Sequence, residues 1–167
     1  MYSEKVNIDL QIHFLGWSYM KRIEEFWIDF CEGNQLKGIE FNDAFQFGAS
    51  ADWLADLVVE GKKTATTSGF VFYELEKEPL PQVGGYDIVL NGQGEPVAVI
   101  QNESVEVVPM NEVTEEFALA EGEGDYQYWW DAHEKFFTEL LKDYNLEFSP
   151  DMLVVCERFK KVYPNRA

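Results

Sequence analysis

The sequence is short of basic residues and rich in acidic ones. It holds 13 Lys and Arg residues against 31 Asp and Glu residues, which gives a formal net charge of −18. Proteins that bind long nucleic acids usually show the opposite sign, because Lys and Arg contacts to phosphates supply most of the affinity. The composition therefore argues against a broad polyanion-binding face and against a DNA partner. It leaves room for a local basic pocket that takes one nucleoside or one phosphate.

Long apolar runs are also missing. No stretch of about 18 apolar residues is present, which is roughly the length that a membrane-spanning helix needs. The first residues do not read as a leader with a small-residue cleavage site. We therefore expect a cytoplasmic protein without a membrane partner.

Cysteine and histidine are equally scarce. The two cysteines, Cys31 and Cys156, lie in apolar surroundings, and His13 and His133 join no cluster. Because these spacings match no metal site, we predict neither a metal nor another cofactor. Reduced, buried thiols are the expected state of both cysteines.

Apolar and aromatic residues, by contrast, are plentiful. Hydrophobic residues make up 46% and aromatic residues 16% of the 167 residues, so we expect one domain, residues 1–167, with a real core. Alternating apolar residues from Val6 to Phe14 predict a half-buried strand. A stripe of apolar residues at 3.6-residue spacing predicts a helix from Ser18 to Cys31. Residues 38–49 read as irregular chain with buried aromatic side chains.

The middle of the sequence carries a short helix followed by a polar junction. Apolar residues at helical spacing predict a helix over residues 50–60, with Ser50 as its N-cap and Gly61 as its left-handed end. The junction, residues 61–68, reads Gly-Lys-Lys-Thr-Ala-Thr-Thr-Ser. Aromatic and β-branched residues at Phe70–Tyr73 predict a strand after it.

The last part of the sequence alternates strands and helices. Turn residues at 91–94 between two β-branched runs predict a hairpin. A short helix with Asn111 as its cap is expected before Ala120, and the strongest helical pattern follows it. The predicted elements are strands 86–90, 97–100 and 105–108, helix 109–120, helix 126–144, and strands 152–156 and 159–162.

Lys63 and Thr66 are the residues of the junction that offer nucleophilic chemistry. A threonine hydroxyl needs a base beside it, and a lysine becomes that base when burial or a neighbouring cation such as Lys62 favours its neutral form. Residues three apart lie on opposite faces of a regular strand, so the pair requires a turn, which Gly61 makes plausible. The alternative interpretation is a solvated lysine pair at a helix end, where cations are favoured anyway.

The loop at residues 121–125, Glu-Gly-Glu-Gly-Asp, admits three interpretations. The first is a calcium loop, but the spacing of its acidic residues does not match the helix-loop-helix pattern. The second is a plain helix cap, with Asp125 starting the next helix. The third is a tight turn that points one carboxylate inward. His133, on the apolar face of the helix that follows, is expected to be a hydrogen-bonded core residue.

Several motifs, in order, resemble a known family. Gly-Lys-Lys-Thr-Ala-Thr after a short helix resembles the opening of the ASCH domain, and the acidic loop with Trp130, His133 and Cys156–Phe159 resembles a bacterial subgroup of it classed as a domain of unknown function. The resemblance covers about 47–163 and leaves 1–35 as an N-terminal extension and helix. It implies an α+β fold, a PUA-like mixed β-barrel with flanking helices.

The resemblance extends to a bacterial ASCH amidohydrolase that acts on N-acetylated cytidine. By that likeness Lys63 is the base, Thr66 the nucleophile and Glu121 the third catalytic residue. The ligand is then a small nucleoside or a short RNA, with Tyr128 or Trp129 able to stack on a base. The alternatives are an ASCH-type ribonuclease and a non-catalytic module that binds RNA or a modified base. The residues expected to bind substrate are Lys62, Thr64, Ser68, Glu123, Asp125, Tyr128, Trp129 and Arg158.

Overall fold

The computed structural model describes residues 5–7 and 17–165. A six-stranded mixed sheet in the order β1-β2-β4-β5-β6-β3 curls into a half-barrel, with helices packed around it. The predicted α+β class is confirmed. The strands are β1 Lys5–Asn7, β2 Asp43–Phe47, β3 Ala65–Gly69, β4 Tyr86–Leu90, β5 Pro96–Pro109 and β6 Leu153–Tyr163. The helices are α1 Trp17–Gly33, α2 Ala51–Val59, α3 Phe70–Glu76, α4 Glu115–Ala120 and α5 Tyr126–Lys142.

The N-terminal helix α1 closes one side of the sheet. Its apolar stripe, including Ile23, Trp27 and Phe30, is buried against Ile88 of β4 and Val99 of β5. The helix prediction for this region is therefore confirmed. The strand predicted from Val6 to Phe14 is described only at residues 5–7, where β1 pairs antiparallel with β2; residues 8–16 lie outside the described residues.

Two predictions of local structure are wrong. The region expected to be irregular contains β2, which pairs parallel with β4 and buries Phe45 and Phe47. The run Phe70–Tyr73 forms helix α3 rather than a strand. Tertiary packing overrides its β propensity, because Phe72 is buried beside Tyr144, with ring centroids 5.7 Å apart. The strand at this point is the less apolar segment before it, β3, which pairs with β6.

The long hairpins of the second half agree with the sequence pattern. β4 and β5 pair antiparallel across the predicted turn at residues 91–94. β5 then continues through the predicted strand at 105–108 as one 14-residue strand, and β6 pairs along it without the interruption expected at residues 157–158. This pair of strands forms the floor on which the remaining helices pack.

The helices after β5 differ from the prediction at the start of α4 and at the end of α5, which is Lys142 rather than residue 144. The predicted helix over 109–120 is a 3-10 turn at Met110–Glu112 followed by α4, and the N-cap of α4 is Thr114, not Asn111. The side chain of Thr114 accepts a hydrogen bond from the Phe117 N–H, which gives the helix its start. The buried side of α5 packs on the core formed with Phe117 and Met110. Among the helices of residues 17–165, none has both the length and the apolar character for crossing a bilayer.

Candidate functional site

The end of α2 turns two consecutive lysines in opposite directions. Gly61 adopts φ +74°, a conformation that favours glycine. The N–H groups of Lys62 and Lys63 both donate to the carbonyl of Leu57, at 2.9 and 3.0 Å. This turn leaves the Lys62 side chain 66% exposed beside Glu60, while Lys63 is only 1% exposed. The turn at the junction thus directs the amine of Lys63 into the protein interior.

A second turn brings the acidic loop against this junction. The Thr64 N–H donates to the Ala120 carbonyl at 2.8 Å. Gly122, at φ +76°, lies so close that a Cβ there would stand 2.5 Å from the Lys62 carbonyl oxygen. The backbone of the loop therefore rests directly on the backbone of the junction. This contact fixes the acidic side chains of the loop over Lys63.

Lys63 and two glutamates form a buried ionic cluster. The Nζ of Lys63 lies 2.9 Å from Oε2 of Glu121 and 2.9 Å from Oε1 of Glu123, and it lies 5.2 Å from the centre of the Phe47 ring. The side chains of Lys63 and Glu121 have no exposed surface, and that of Glu123 keeps only 10%. The expectation that the loop turns a carboxylate inward is confirmed by this geometry. One ammonium facing two carboxylates leaves these three residues with a formal charge of −1.

Glu121 is the hub of the cluster. Its Oε1 accepts hydrogen bonds from the Thr67 hydroxyl at 2.6 Å and from the Trp129 indole N–H at 2.8 Å. The Nε2 of His133 lies 3.7 Å from the same oxygen. Donors from β3 and α5 therefore converge on one oxygen of this carboxylate, while Lys63 holds the other.

The charge of Glu121 also affects the Cys156 thiol on β6. Burial, reinforced by the charge of Glu121, raises the pKa of the Cys156 thiol to about 12, although a hydrogen bond with Thr67 acts in the opposite direction. Cys156 therefore remains a neutral thiol, and the expectation of a buried cysteine is confirmed at this position. The same expectation is wrong for Cys31, which is only partly buried.

The other face of β3 carries a separate buried polar group. Thr66 alternates with Thr67 along the strand and stands opposite Glu157 in the β3–β6 register. The Oε1 of Glu157 accepts from the Nδ2 of Asn102 at 3.1 Å, and all three residues are buried. The next residue on this face, Ser68, shares a 3.0 Å hydrogen bond with a tyrosine hydroxyl of α3. Thr66 therefore starts a row of buried polar groups on the face of β3 opposite to Thr67.

The three predicted catalytic residues are all buried, and two of them, Lys63 and Glu121, are in direct hydrogen-bonded contact. Lys63 contacts Glu121, and Thr66 lies three residues beyond Lys63 on the face opposite to Thr67. The threonine that donates to Glu121 is Thr67. The assignment of catalytic roles to Lys63, Thr66 and Glu121 stays a prediction.

The predicted substrate-binding residues are scattered. Glu123 lies in the cluster, while Thr64 is exposed and bonds back to Ala120. Asp125 caps α5 by accepting from the Tyr128 N–H, as the capping interpretation expected. Of the two aromatic candidates for base stacking, Tyr128 is 47% exposed and Trp129 only 3%, so Tyr128 alone presents a ring at the surface.

Arg158 lies apart from the ionic cluster. Its guanidinium pairs with Glu116 at 3.3 Å and lies over the Phe117 ring, 5.3 Å from its centre. Together with Glu106 it lines a surface cavity of about 210 Å³ that reaches down to Cys156. Pairing with an acid, one of the two roles considered from the sequence, is thus the one seen here.

Four buried polar residues of this region were not predicted as site residues: Thr67, Asn102, His133 and Glu157. A signal for Glu157 exists, because it stands between Val155 and Phe159 at an inward position of an apolar strand. Asn102 and Thr67 give no such signal, since their orientation depends on strand register. His133 is the hydrogen-bonded core histidine that was expected, with Nδ1 2.7 Å from the Trp129 carbonyl. Within residues 17–165 no three metal-ligating side chains come together.

Comparison with known proteins agrees with this architecture. The family model of the ASCH domain matches residues 43–163. The chain belongs to the ASCH domain family. Among curated proteins, none matches the sequence.

Two crystal structures are similar over nearly the whole chain. Protein EF3133 from Enterococcus faecalis V583, of the DUF984 family, is 42% identical, with a TM-score of 0.79 over 86% of this chain and 91% of its own. The ASCH domain from Lactobacillus crispatus JV V101 is 32% identical, with a TM-score of 0.79 over 92% of this chain and 100% of its own. This ASCH protein therefore shares the fold of both, and the half-barrel with flanking helices is the family's architecture.

Proposed function

We propose that this ASCH protein hydrolyses the amide of an acylated pyrimidine nucleoside of the acetylated cytidine type. The observation that carries the proposal is the buried Lys63, held 2.9 Å from both Glu121 and Glu123. Burying an ammonium and two carboxylates costs several kcal/mol per ion before compensation. Ionisable clusters of this kind concentrate at functional sites, because catalysis needs charged groups in a dry, fixed geometry.

The reaction divides between the three predicted catalytic residues. Lys63 must first give up its own extra proton, after which the Thr66 hydroxyl attacks the acyl carbon and its proton passes to the neutral amine of Lys63. The amide C–N bond breaks, and the cytosine amino group leaves with a proton supplied from the Lys63–Glu121 pair. Water then cleaves the threonine ester and releases the carboxylic acid. An amine on a cytosine is a better leaving group than an alkylamine because its electron pair is delocalised, so a modest nucleophile suffices.

A second candidate is a non-catalytic module, or an ASCH-type ribonuclease, that binds a short RNA end or a modified base. One observation favours the module. Lys63 has two carboxylate partners, and opposite charges at this distance favour the ammonium, which cannot take a proton from Thr66. The net charge of −18 still weighs against long RNA in either version.

The decisive experiment compares two neighbouring threonines in a turnover assay with acetylated cytidine. Thr66→Val removes the nucleophile and is expected to abolish release of cytidine and the acyl-enzyme detected by mass spectrometry. Thr67→Val, the matched control, removes one hydrogen bond to Glu121 and is expected to lower turnover only partly. Full activity of Thr66→Val would rule out threonine catalysis at this position.

The module and the ribonuclease are separated from the amidohydrolase with the same wild-type protein. Binding of a short RNA that weakens steeply with salt, without cleavage or deacylation, would support the module, because each phosphate contact contributes to the slope. Cleavage of the RNA would support the ribonuclease. A flat, weak response to salt would count against both RNA functions.

A further inference from the structure

His133 faces the ionic cluster with one defined nitrogen. Its Nδ1 lies 2.7 Å from the carbonyl oxygen of Trp129. A carbonyl oxygen can only accept, so Nδ1 carries the proton of this hydrogen bond. In the neutral ring, Nε2 is then the basic nitrogen, and it lies 3.7 Å from Oε1 of Glu121.

The buried ionic cluster lies on one side of this imidazole. The carboxylate of Glu121 faces it from the loop after α4, with Lys63 and Glu123 behind that carboxylate. Within α5 the ring neighbours are uncharged: the ring centres of Trp129 and Phe137 lie 4.5 and 5.8 Å away. From β6, the thiol of Cys156 stands near Glu121 and remains neutral, because burial raises its pKa to about 12.

The charge of the cluster is the same before and after a proton transfer to His133. Lys63, Glu121 and Glu123 together carry −1, and adding to a buried uncompensated charge is costly. A proton that passes from Lys63 to His133 leaves this total at −1, so the transfer adds no buried charge. The ring is 1% exposed, so water contributes little to this balance.

The proposed hydrolysis needs such a proton acceptor. An ammonium held by two carboxylates cannot accept the Thr66 proton. We propose that His133 receives the surplus proton of Lys63 through Glu121. Lys63 gives a proton to Oε2 of Glu121, the carboxyl group turns so that this O–H faces His133, and Nε2 takes the same proton as the two atoms close to hydrogen-bond distance. Lys63 becomes neutral, Glu121 is a carboxylate again, His133 is an imidazolium, and the total charge stays at −1.

This inference rests on the proposed function for its purpose, but its physical content is independent of turnover. His133 acts through Glu121 and touches no substrate, so it is a positioning residue. The predicted property is an imidazole that is protonated at Nδ1 when neutral and gains its second proton under the influence of Glu121.

Nuclear magnetic resonance of the imidazole nitrogens tests this property directly. The chain has two histidines, and the signal lost in His133→Asn belongs to His133, while His13 serves as the internal reference. We expect the Nδ1–H form at high pH, conversion to the imidazolium as the pH falls, and a midpoint lower by about one pH unit or more in Glu121→Gln. A His133 signal that stays in one form between about pH 5 and pH 9, or that ignores Glu121→Gln, would overturn the proposal.

Kinetics adds a readout that a purely structural histidine would not change. Asn places an amide near the position of Nδ1, so His133→Asn can keep the bond to Trp129 but cannot titrate. We expect kcat to fall about 10²–10⁴-fold, with the limb of the pH–rate profile assigned to His133 disappearing. An unchanged kcat and profile in this variant would overturn the relay. Absence of deacylation by the wild-type protein would count against the proposed function alone, because the titration of His133 still decides the inference.

Discussion

Lys62 and Lys63 are neighbours in the chain, but the side chain of Lys62 is exposed and that of Lys63 is buried. Lys62 forms an ion pair with Glu60 at the surface, at 2.6 Å, and Lys63 forms two at 2.9 Å in the interior. The distances are similar, so distance does not distinguish the two sites. The difference is solvent, because water screens the first pair and is excluded from the second.

This contrast shows why the acidic composition is a poor guide to function. Most of the 31 acidic residues lie where water and salt weaken their effect. Two of them, Glu121 and Glu123, are placed by a single loop where their charge acts at nearly full strength on Lys63. The net charge describes mainly the surface, and the proposed chemistry depends on the few acidic residues that are buried, Glu121 and Glu123 among them.

The largest expected effect is on the buried side of this comparison. Lys63→Met leaves two carboxylates facing each other without the ammonium, so we expect the free energy of unfolding to fall by about 3–5 kcal/mol. Lys62→Met, the matched control, should change it by about 1 kcal/mol or less. Urea denaturation of both variants measures the difference. An equal loss of unfolding free energy in the two variants would mean that the Lys63–Glu121 pair is hydrated, and it would contradict the difference between the buried and the exposed lysine.

A smaller effect is expected from the glycines that shape the two turns. Gly61 and Gly122 have nearly the same positive φ, +74° and +76°, but only Gly122 lacks space for a side chain. Gly61→Ala should cost about 1–2 kcal/mol, the usual cost of a left-handed conformation. Gly122→Ala should cost more, because its Cβ meets the Lys62 carbonyl oxygen and pushes the acidic loop away from Lys63.

Thermal or urea unfolding of the two alanine variants checks this order. If Gly122→Ala is no more destabilised than Gly61→Ala, the loop can retreat without loss, and the contact between the two backbones is not what fixes Glu121.

The smallest effect concerns the two cysteines at neutral pH. Cys31 is partly exposed, whereas Cys156 is buried with a pKa raised to about 12, by burial first and then by Glu121. We expect a thiol reagent to label Cys31 in the folded protein and Cys156 only after unfolding. Labelling followed by peptide mass spectrometry measures both sites in one sample. Rapid labelling of Cys156 without unfolding would contradict the buried position.

The same pKa gives the sign of a pH effect at alkaline pH. The folded state keeps the Cys156 proton up to about pH 12, while the unfolded thiol, with a reference pKa of 9.0, releases it earlier. The stabilisation is therefore complete below pH 9 and is lost as the pH rises from 9 towards 12. Cys156→Ala should remove most of this pH dependence, and Cys31→Ala should remove less, because burial also raises the pKa of the Cys31 thiol but that thiol is partly exposed.

Local patterns predicted much of the fold. The helices α1, α2 and α5, the β4–β5 hairpin and the left-handed Gly61 all follow from spacing and turn chemistry that lie within a few residues of each other. The exceptions are β2, in a region expected to be irregular, and Phe70–Tyr73, whose strand-like composition gives way to a helix. There a distant partner, α5, decides where Phe72 is buried, and no neighbour in the sequence carries that information.

The candidate site was predictable only in outline. Lys63 and the acidic loop stand out by composition, and the resemblance to ASCH proteins joins them. Local sequence patterns do not predict that Thr67 is the threonine that donates a hydrogen bond to Glu121. Adjacent residues of a strand face opposite sides, so a change of one residue in register would exchange them.

By itself the sequence determined the turn at Gly61, the inward helix faces, the capping role of Asp125 and the excess of negative charge. Only the tertiary structure decided that the side chain of Lys63 is buried while that of Lys62 is exposed to solvent. It also decided that Thr67 donates a hydrogen bond to Glu121 and that His133 lies beside the same carboxylate. The physical reason is separation along the chain: these groups come from β3, the acidic loop and α5, and their meeting depends on the register of β3 with β6 and on the backbone contact at Gly122.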